Sequence, residues 1–286
     1  MSVSYEPYAV RSDASVCYGR LAIESWESVM RQAEVLADLR LERQGLVDAV
    51  RDADLDLETP ADGWSIHDTV SHLWSTDEAA LAALVEPEFF RDTILANAIA
   101  DPNGFVDASV DDRRGLGKSE LLASWDATFA ALLTALDQAD PAAKVLWFGP
   151  PMNPTSFATA RVMEYWAHGQ DIFDTLGATR DSAAGTLRHI CHLGFRTRGF
   201  AYLIRGLTPP EVEVGVRLGL PDGSVYQAGS DGPELITGSA EDFCLVVTQR
   251  RHPADTDLVA EGKAAEEWLA IAQCFAGPPG KGRDPK

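Results

Sequence analysis

Glu164 and His168 stand four residues apart in the segment RVMEYWAHGQDIFDTLG, residues 161 to 177, and Asp171 follows three residues later. On a helix these three side chains project from one face, one turn apart. A carboxylate and an imidazole at this spacing form a two-ligand clamp for a divalent ion. Asp171 could accept the ring N–H of His168 and fix its tautomer. A solvated polar face, with Asp171 a surface acid, has the same spacing, so both readings stay open at this level.

A metal site needs at least one further ligand, from a facing helix. The chain has six histidines: His67, His72, His168, His189, His192 and His252. Only His67 and His72 fall in the other helical segments of the first half. Between Ile66 and Val85 the apolar stripe includes Ile66, Val70, Leu73, Trp74, Leu81 and Leu84. His72 borders that stripe, whereas His67 lies in the first turn and is expected to be exposed. The candidate set is therefore His72, Glu164 and His168. Two imidazoles and a carboxylate with open positions suit zinc, and nickel, iron or manganese could also bind there. The plain alternative for His72 is an interior histidine that is simply hydrogen-bonded. His189 and His192 lie three apart without a suitably spaced acid and read as structural. His252, before Pro253, reads as a capping or surface residue.

The elements that must position these residues can be read from periodicity and punctuation. Residues 1–20 are expected to form a flexible arm, followed by a helix from about Ala22 to Val50 with a weak point at Gly45. Pro60 and Gly63 punctuate a connector. Ser65 can cap the next helix, with Asp68 completing a capping box. EPEFFRDTILANAIA reads as a short helix, and DPNGFVDASVDDRRGLG as a polar loop that could serve as a lid. Lys118 onward gives an amphipathic helix, with Leu121, Leu122, Trp125, Phe129, Leu132, Leu133 and Leu136 at helical spacings. After the proline-stiffened connector WFGPPMNPTS, Thr155 or Ser156 is expected to cap the helix that carries Glu164 and His168, and Gly177 to end it. Four principal helices imply an antiparallel four-helix bundle over residues 21–180.

From 183 to 276 the pattern changes to a smaller α+β domain. LRHICHLGFRTRGFAYLIRG is helical, EVEVGVRLGL and VYQAG flank a Pro-Asp-Gly turn as a β-hairpin, and two further helices follow. Residues 277–286 are expected to be a disordered tail. The fold class is thus α+β.

Composition narrows the function. The 286 residues are 45% hydrophobic and 24% charged, consistent with a sizeable core and a soluble protein. No apolar run reaches a bilayer span and no signal-peptide pattern opens the chain, so a cytoplasmic location is the expectation. With 44 acidic against 24 basic residues, the net charge of −20 argues against nucleic-acid or membrane-surface partners and leaves a small-molecule substrate. An anionic substrate would need local arginines against this field. Cys17, Cys191, Cys244 and Cys274 are scattered with no CxxC pair, and read as reduced core thiols. Oligomeric state is not readable.

The segments GWSIHDTVSHLWSTDEAA and ARVMEYWAHGQDIFDTLG together resemble the DinB-like superfamily, and within it the mycothiol-dependent maleylpyruvate isomerase type. WFGPPM and EDFCLVVTQRRHPADTDLVAEGKAAEEWLAIAQCFAGPPG extend the likeness to an actinobacterial subfamily of uncharacterised metal-binding proteins, over about residues 33 to 283. The resemblance implies a metal-binding four-helix bundle whose ligands match His72, Glu164 and His168, with the family's following aspartate at Asp171. It also implies an arginine of the C-terminal domain that faces the metal and helps hold an anionic substrate or thiol. Arg250 matches that position, with Arg251 as the adjacent alternative.

Three functions follow as expectations. The first is a mycothiol-dependent transferase or isomerase, in which a divalent metal, zinc in the first instance, makes a thiolate available at neutral pH for attack on an electrophile. The second is a thiol-independent metal-dependent isomerase, lyase or hydrolase acting on a small carbonyl compound. The third is a non-catalytic binding protein, since the C-terminal domain also resembles sterol-carrier folds. Trp74, Trp147, Phe148, Tyr165 and Trp166 could line its pocket, although such spacings more often mean core.

Overall fold

The computed structural model describes residues 32–285. The expected arm, residues 1–20, and the beginning of the helix expected from Ala22 lie outside the described residues. Helix α1, Gln32–Val50, continues through Gly45 without a break and buries Val35, Leu36, Leu39, Leu46 and Val50 along one face. Helix α2, Ile66–Val85, starts at the expected capping box. The Ser65 hydroxyl accepts the Asp68 N–H at 3.2 Å, and the Asp68 carboxylate accepts the Ser65 N–H at 2.9 Å. This reciprocal pair sets where α2 begins, and hence where His72 falls.

The short helix expected next is a run of three pieces: α3, Pro87–Phe89, a π-helical turn, Phe90–Leu95, and α4, Ala96–Ala100. The segment read as a polar loop instead contains helix α5, Pro102–Asp111. Asp101 caps it by accepting the Gly104 N–H at 3.0 Å, and Pro102 occupies the first helical position. An Asp-Pro start is a strong helix-opening signal that outweighs the polar composition. Val110 buries itself in return. Helix α6 is Lys118–Gln138.

Helix α7, Pro154–Leu176, carries Glu164, His168 and Asp171. Its cap is Asn153, whose side chain accepts the Ser156 N–H at 2.8 Å, rather than Thr155 or Ser156. Proline at the first helical position shifts the start upstream of those residues. Gly177 ends it in the left-handed conformation, at φ 59°, as expected. α1 packs mainly on α7 and α2 on α6, while α2–α7 and α1–α6 contacts close the ring into a four-helix bundle.

The rest of the chain forms the smaller α+β part. It comprises α8, Ala184–Arg196, α9, Arg198–Leu203, strands β1, Gly215–Gly219, β2, Val225–Ala228, and β3, Leu235–Ser239, helix α10, Ala240–Val247, strand β4, Val259–Glu261, and helix α11, Lys263–Ile271. β1 and β2 form the expected antiparallel hairpin, with Val216 opposite Ala228. The sheet extends beyond it in the order β2-β1-β3-β4, with β3 parallel to β1 and β4 antiparallel to β3. Leu187, Ile190, Val216, Leu218, Ile236, Phe243, Val247 and Trp268 form its core.

Helix α7 belongs to both cores. Val162, Tyr165 and Ile172 point into the bundle, whereas Met163, Trp166 and Ala167 pack with the sheet and its helices. The face between these two apolar sides is where Glu164 and His168 emerge. Residues 277–285, expected as a disordered tail, run back across the molecule. The Gly280 N–H donates to Gln273 at 3.1 Å, Lys281 pairs with Asp62 at 3.5 Å, and Arg283 reaches Asp171 at 2.8 Å. A basic tail on a strongly acidic chain finds carboxylates to dock on. Among the described residues, no helix is long and apolar enough to cross a membrane.

Candidate metal centre

The α2 and α7 frames bring His72, Glu164 and His168 together, each half-buried, with one nitrogen or oxygen donor per residue and all three donors within 4.8 Å of one another. His168 Nε2 lies 3.3 Å from Glu164 Oε2. The two imidazole rings are 4.6 Å apart between centroids. Trp64, just upstream of the α2 cap, flanks them. Its ring centroid is 5.0 Å from that of His72, and it stacks on His168 at 6.1 Å and 21°. His72 Nδ1 is buried without a hydrogen-bond partner.

The protonation states favour a cation. Burial pushes the His72 pKa down, the positive charge of His168 adds to this, and Glu164 opposes it only in part, leaving a value of about 3. Burial pushes Glu164 up, but the hydrogen bond and charge of His168, followed by Arg161 and His72, outweigh it and hold it at about 2. At neutral pH His72 is therefore neutral and Glu164 ionised, the forms that ligate metals. The donor set and the unpartnered nitrogen of His72 fit a divalent ion of the zinc type.

Arg250, from the turn after α10, reaches this face of α7. Its Nη2 is 3.3 Å from His168 Nδ1 and 2.9 Å from Asp171 Oδ2. Its Nε donates to the Ala167 carbonyl at 3.0 Å and its Nη1 to that of Thr248 at 2.7 Å. Asp171 does not touch His168 directly, since Oδ2 is 3.9 Å from Nδ1, beyond hydrogen-bonding range. The guanidinium of Arg250 contacts both groups. Arg251 turns to Asp174, with contacts of 2.6 and 2.7 Å.

Three residues near the centre were not singled out from the sequence. Trp64 is one, and its only local signal is its place beside the Ser65 cap. Arg161, one turn before Glu164, is fully buried and donates to Asp77 at 2.8 Å and Thr76 at 2.9 Å, while its Nε and Nη1 have no hydrogen-bond partner. The Tyr165 hydroxyl and the Trp125 indole also bond Asp77. Arg283 is the third.

The remaining candidates lie elsewhere. His67 is buried rather than exposed, because its ring turns inward to the Leu116 carbonyl at 3.1 Å and Ser71 at 3.3 Å. His189 meets an acid after all, Asp38 of α1, at 2.9 Å, and His192 faces Tyr226 at 3.5 Å. His252 accepts the Ala254 N–H at 3.1 Å as a local cap. Tyr165 and Trp166 are fully buried, and Trp74, Trp147 and Phe148 pack against the bundle core. Cys191, Cys244 and Cys274 are buried and free, and Cys17 lies outside the described residues. A hollow of about 500 Å³ beside the start of α2 is lined by His67, Asp68, Arg114 and Lys118 and does not include the His72 cluster.

The helical bundle followed by a smaller α+β unit is the DinB-like fold class expected from the sequence. The family described as the mycothiol maleylpyruvate isomerase N-terminal domain matches residues 36–173. Uncharacterised proteins from two strains of Mycobacterium tuberculosis are each 44% identical over 252 residues, covering 87% of this chain and 97% of theirs. The crystal structure of a mycothiol-dependent maleylpyruvate isomerase superposes with a TM-score of 0.52 at 17% identity, and a histidine-to-alanine mutant of it with 0.55 at 16%. Each match covers 78% of this chain and 91% of the other. Residues 36–173 belong to the mycothiol maleylpyruvate isomerase N-terminal domain family, and the whole chain belongs to one family with the two Mycobacterium tuberculosis proteins.

Proposed function

We propose that this protein is a metal-dependent enzyme that uses a thiol, mycothiol in the first instance, either to isomerise a small electrophilic molecule through a reversible adduct or to add the whole thiol to it. The observation that carries the reading is the convergence of His72 from α2 with Glu164 and His168 from α7, the helix shared by both cores, with their donors inside 4.8 Å. His72, Glu164 and His168 would hold the ion, with zinc the best match to the donor set. When bound, a divalent ion supplies a positive charge that makes a thiolate available at neutral pH and polarises a carbonyl.

The chain's own residues supply the rest. The α7 backbone fixes Glu164 and His168 in one face, and the Ser65 capping box fixes the phase of His72 on α2. Trp64 flanks both imidazoles on one side. Arg250 is anchored by two backbone carbonyls and presents its remaining N–H groups beside His168, where the anionic end of a ligand would lie.

The test is metal analysis of protein purified without chelator, followed by calorimetric titration with mycothiol. The expected result is one divalent ion per chain, and thiol binding that requires the ion and disappears with it in His72→Ala. Metal-loaded protein that binds no thiol would overturn the thiol-dependent reading, and absence of a specific ion would overturn the metal-dependent one.

A further inference from the structure

Trp64 reaches the imidazoles from a turn that stands out from the bundle. Glu58 and Ser65 pair across its base as an antiparallel bridge, and the Thr59 N–H donates to the Trp64 carbonyl at 2.8 Å. Pro60, Asp62 and Gly63 at its tip are exposed. The C-terminal tail lies across this tip. Gln273, 1% exposed, folds the tail back by accepting the Gly280 N–H at 3.1 Å and donating to the Pro278 carbonyl at 3.2 Å. Arg205 donates to the Gly280 carbonyl, also at 3.2 Å. Beyond that anchor Lys281 meets Asp62 at 3.5 Å, and Arg283 donates to the Pro60 carbonyl. The two contacts are unequal. Lys281 and Asp62 are both open to water, and such pairs hold little. The Arg283 guanidinium also takes Asp171 Oδ1 at 2.8 Å, a buried carboxylate on α7 one turn beyond His168. One side chain therefore ties the Trp64 turn to the helix that carries Glu164 and His168.

We propose that Arg283 is a positioning residue of the centre: it straps the Trp64 turn against α7 and so sets how fast an ion enters and leaves. The Trp64 ring is 5.0 Å from His72 and stacked on His168. Swinging the turn outward takes the ring away from both imidazoles and breaks the contact between Arg283 and the Pro60 carbonyl. Loss of Arg283 raises the population of the swung-out turn. An opening that favours neither the loaded nor the empty centre changes both exchange rates and leaves affinity alone. What is exchanged rests on the metal reading above; the tie between tail and turn does not.

The test uses the full chain as wild type, Arg283→Gln, Arg283→Lys, Trp64→Ala and the double variant Arg283→Gln with Trp64→Ala. Zinc uptake, and zinc release into excess chelator, are timed by stopped flow. Arg283→Gln should speed both by about three- to tenfold, the range that one lost hydrogen bond spans, with an affinity within about twofold of wild type. Arg283→Lys keeps the charge and should fall between the two. Trp64→Ala should also speed both steps, and adding Arg283→Gln to it should change neither further, because the tail acts through that ring. Wild-type rates in Arg283→Gln, faster release explained by lost affinity, or effects that multiply in the double variant would each overturn the proposal. Hydrogen exchange in metal-free protein judges the strap without zinc. The Thr59 amide should exchange faster in Arg283→Gln than in wild type, and equal exchange also overturns the proposal. Wild type that binds no zinc while the variant shows the faster exchange defeats the metal reading and leaves the strap standing.

Discussion

Arg250 Nη2 stands 3.3 Å from His168 Nδ1, although the two residues are 82 positions apart in the chain. A guanidinium can only donate, so this contact makes Nδ1 the acceptor and leaves the ring proton on Nε2, facing Glu164 at 3.3 Å. A cation on Nε2 requires the opposite tautomer, with the proton on Nδ1. The group able to receive that proton's hydrogen bond is Asp171, whose Oδ2 is 3.9 Å away. Metal loading should therefore move Arg250 off Nδ1 and draw His168 and Asp171 together.

The first prediction follows. Asp171→Asn keeps the shape of the side chain but replaces an anionic acceptor with a neutral amide. Zinc affinity, measured by competition with a chromogenic chelator, should fall roughly 10- to 100-fold. An affinity within twofold of wild type would mean that Asp171 serves only to dock the arginines.

The second prediction concerns acid. In the metal-free protein His72 is held at about 3 against an ordinary 6.5, and Glu164 at about 2 against 4.5. Both folded values lie below the unfolded ones, so the unfolded chain binds more protons on the acid side. The contribution of His72 is complete above pH 6.5 and is lost as the pH falls towards 3. That of Glu164 is complete above 4.5 and is lost towards 2. Melting temperature should thus decline from pH 6.5 downward, and His72→Gln should flatten the stretch from 6.5 to 4.5. His192, depressed to about 4 chiefly by burial, adds the same trend to both proteins. The difference between the two melting curves is therefore the quantity to read, and parallel curves over that stretch would refute the assignment.

The third prediction uses Trp64. It lies 5.0 Å from His72 and is stacked on His168, whereas the chain contains seven tryptophans in all. Cobalt(II) added to metal-free protein should quench part of the tryptophan emission. Trp64→Phe preserves an aromatic cover and should remove the greater part of that quenching while changing cobalt affinity by less than about threefold, because the ring supplies no ligand. Undiminished quenching in the variant would place the ion elsewhere.

How much of this was legible depends on whether the signal is local. The one-turn spacing of Glu164 and His168, and the phase of His72 against the α2 stripe, are short-range patterns, and the structure brings those three residues together. The Ser65–Asp68 box and the Gly177 stop are equally local. Helix α5 was also signalled, by Asp101-Pro102, but its polar composition masked the cap. Strands β3 and β4 are five and three residues long and half-covered, so they show no readable alternation. Arg161 with Asp77, and Arg283 with Asp171, are contacts across 84 and 112 positions. No spacing rule reaches that far. Only the packed bundle decides which buried acid an arginine meets.

The last prediction tests one such long-range pair. Arg161 and Asp77 form an ion pair inside the bundle core, with both side chains essentially inaccessible. Arg161→Met leaves the Asp77 carboxylate buried with only the Tyr165 hydroxyl and the Trp125 indole as partners. Breaking a buried pair from one side costs on the order of 3–5 kcal/mol, because the uncompensated charge remains. Urea unfolding should show that loss. The double variant Arg161→Met with Asp77→Leu removes both charges and should recover most of it, since the desolvation penalty leaves with them. Where the single variant still folds, it should also bind zinc at least as tightly as wild type, because Arg161 adds positive charge close to Glu164 and His72. A single variant within about 1 kcal/mol of wild type, or a double variant no better than the single, would show that an uncompensated Asp77 charge is not what the loss of Arg161 costs.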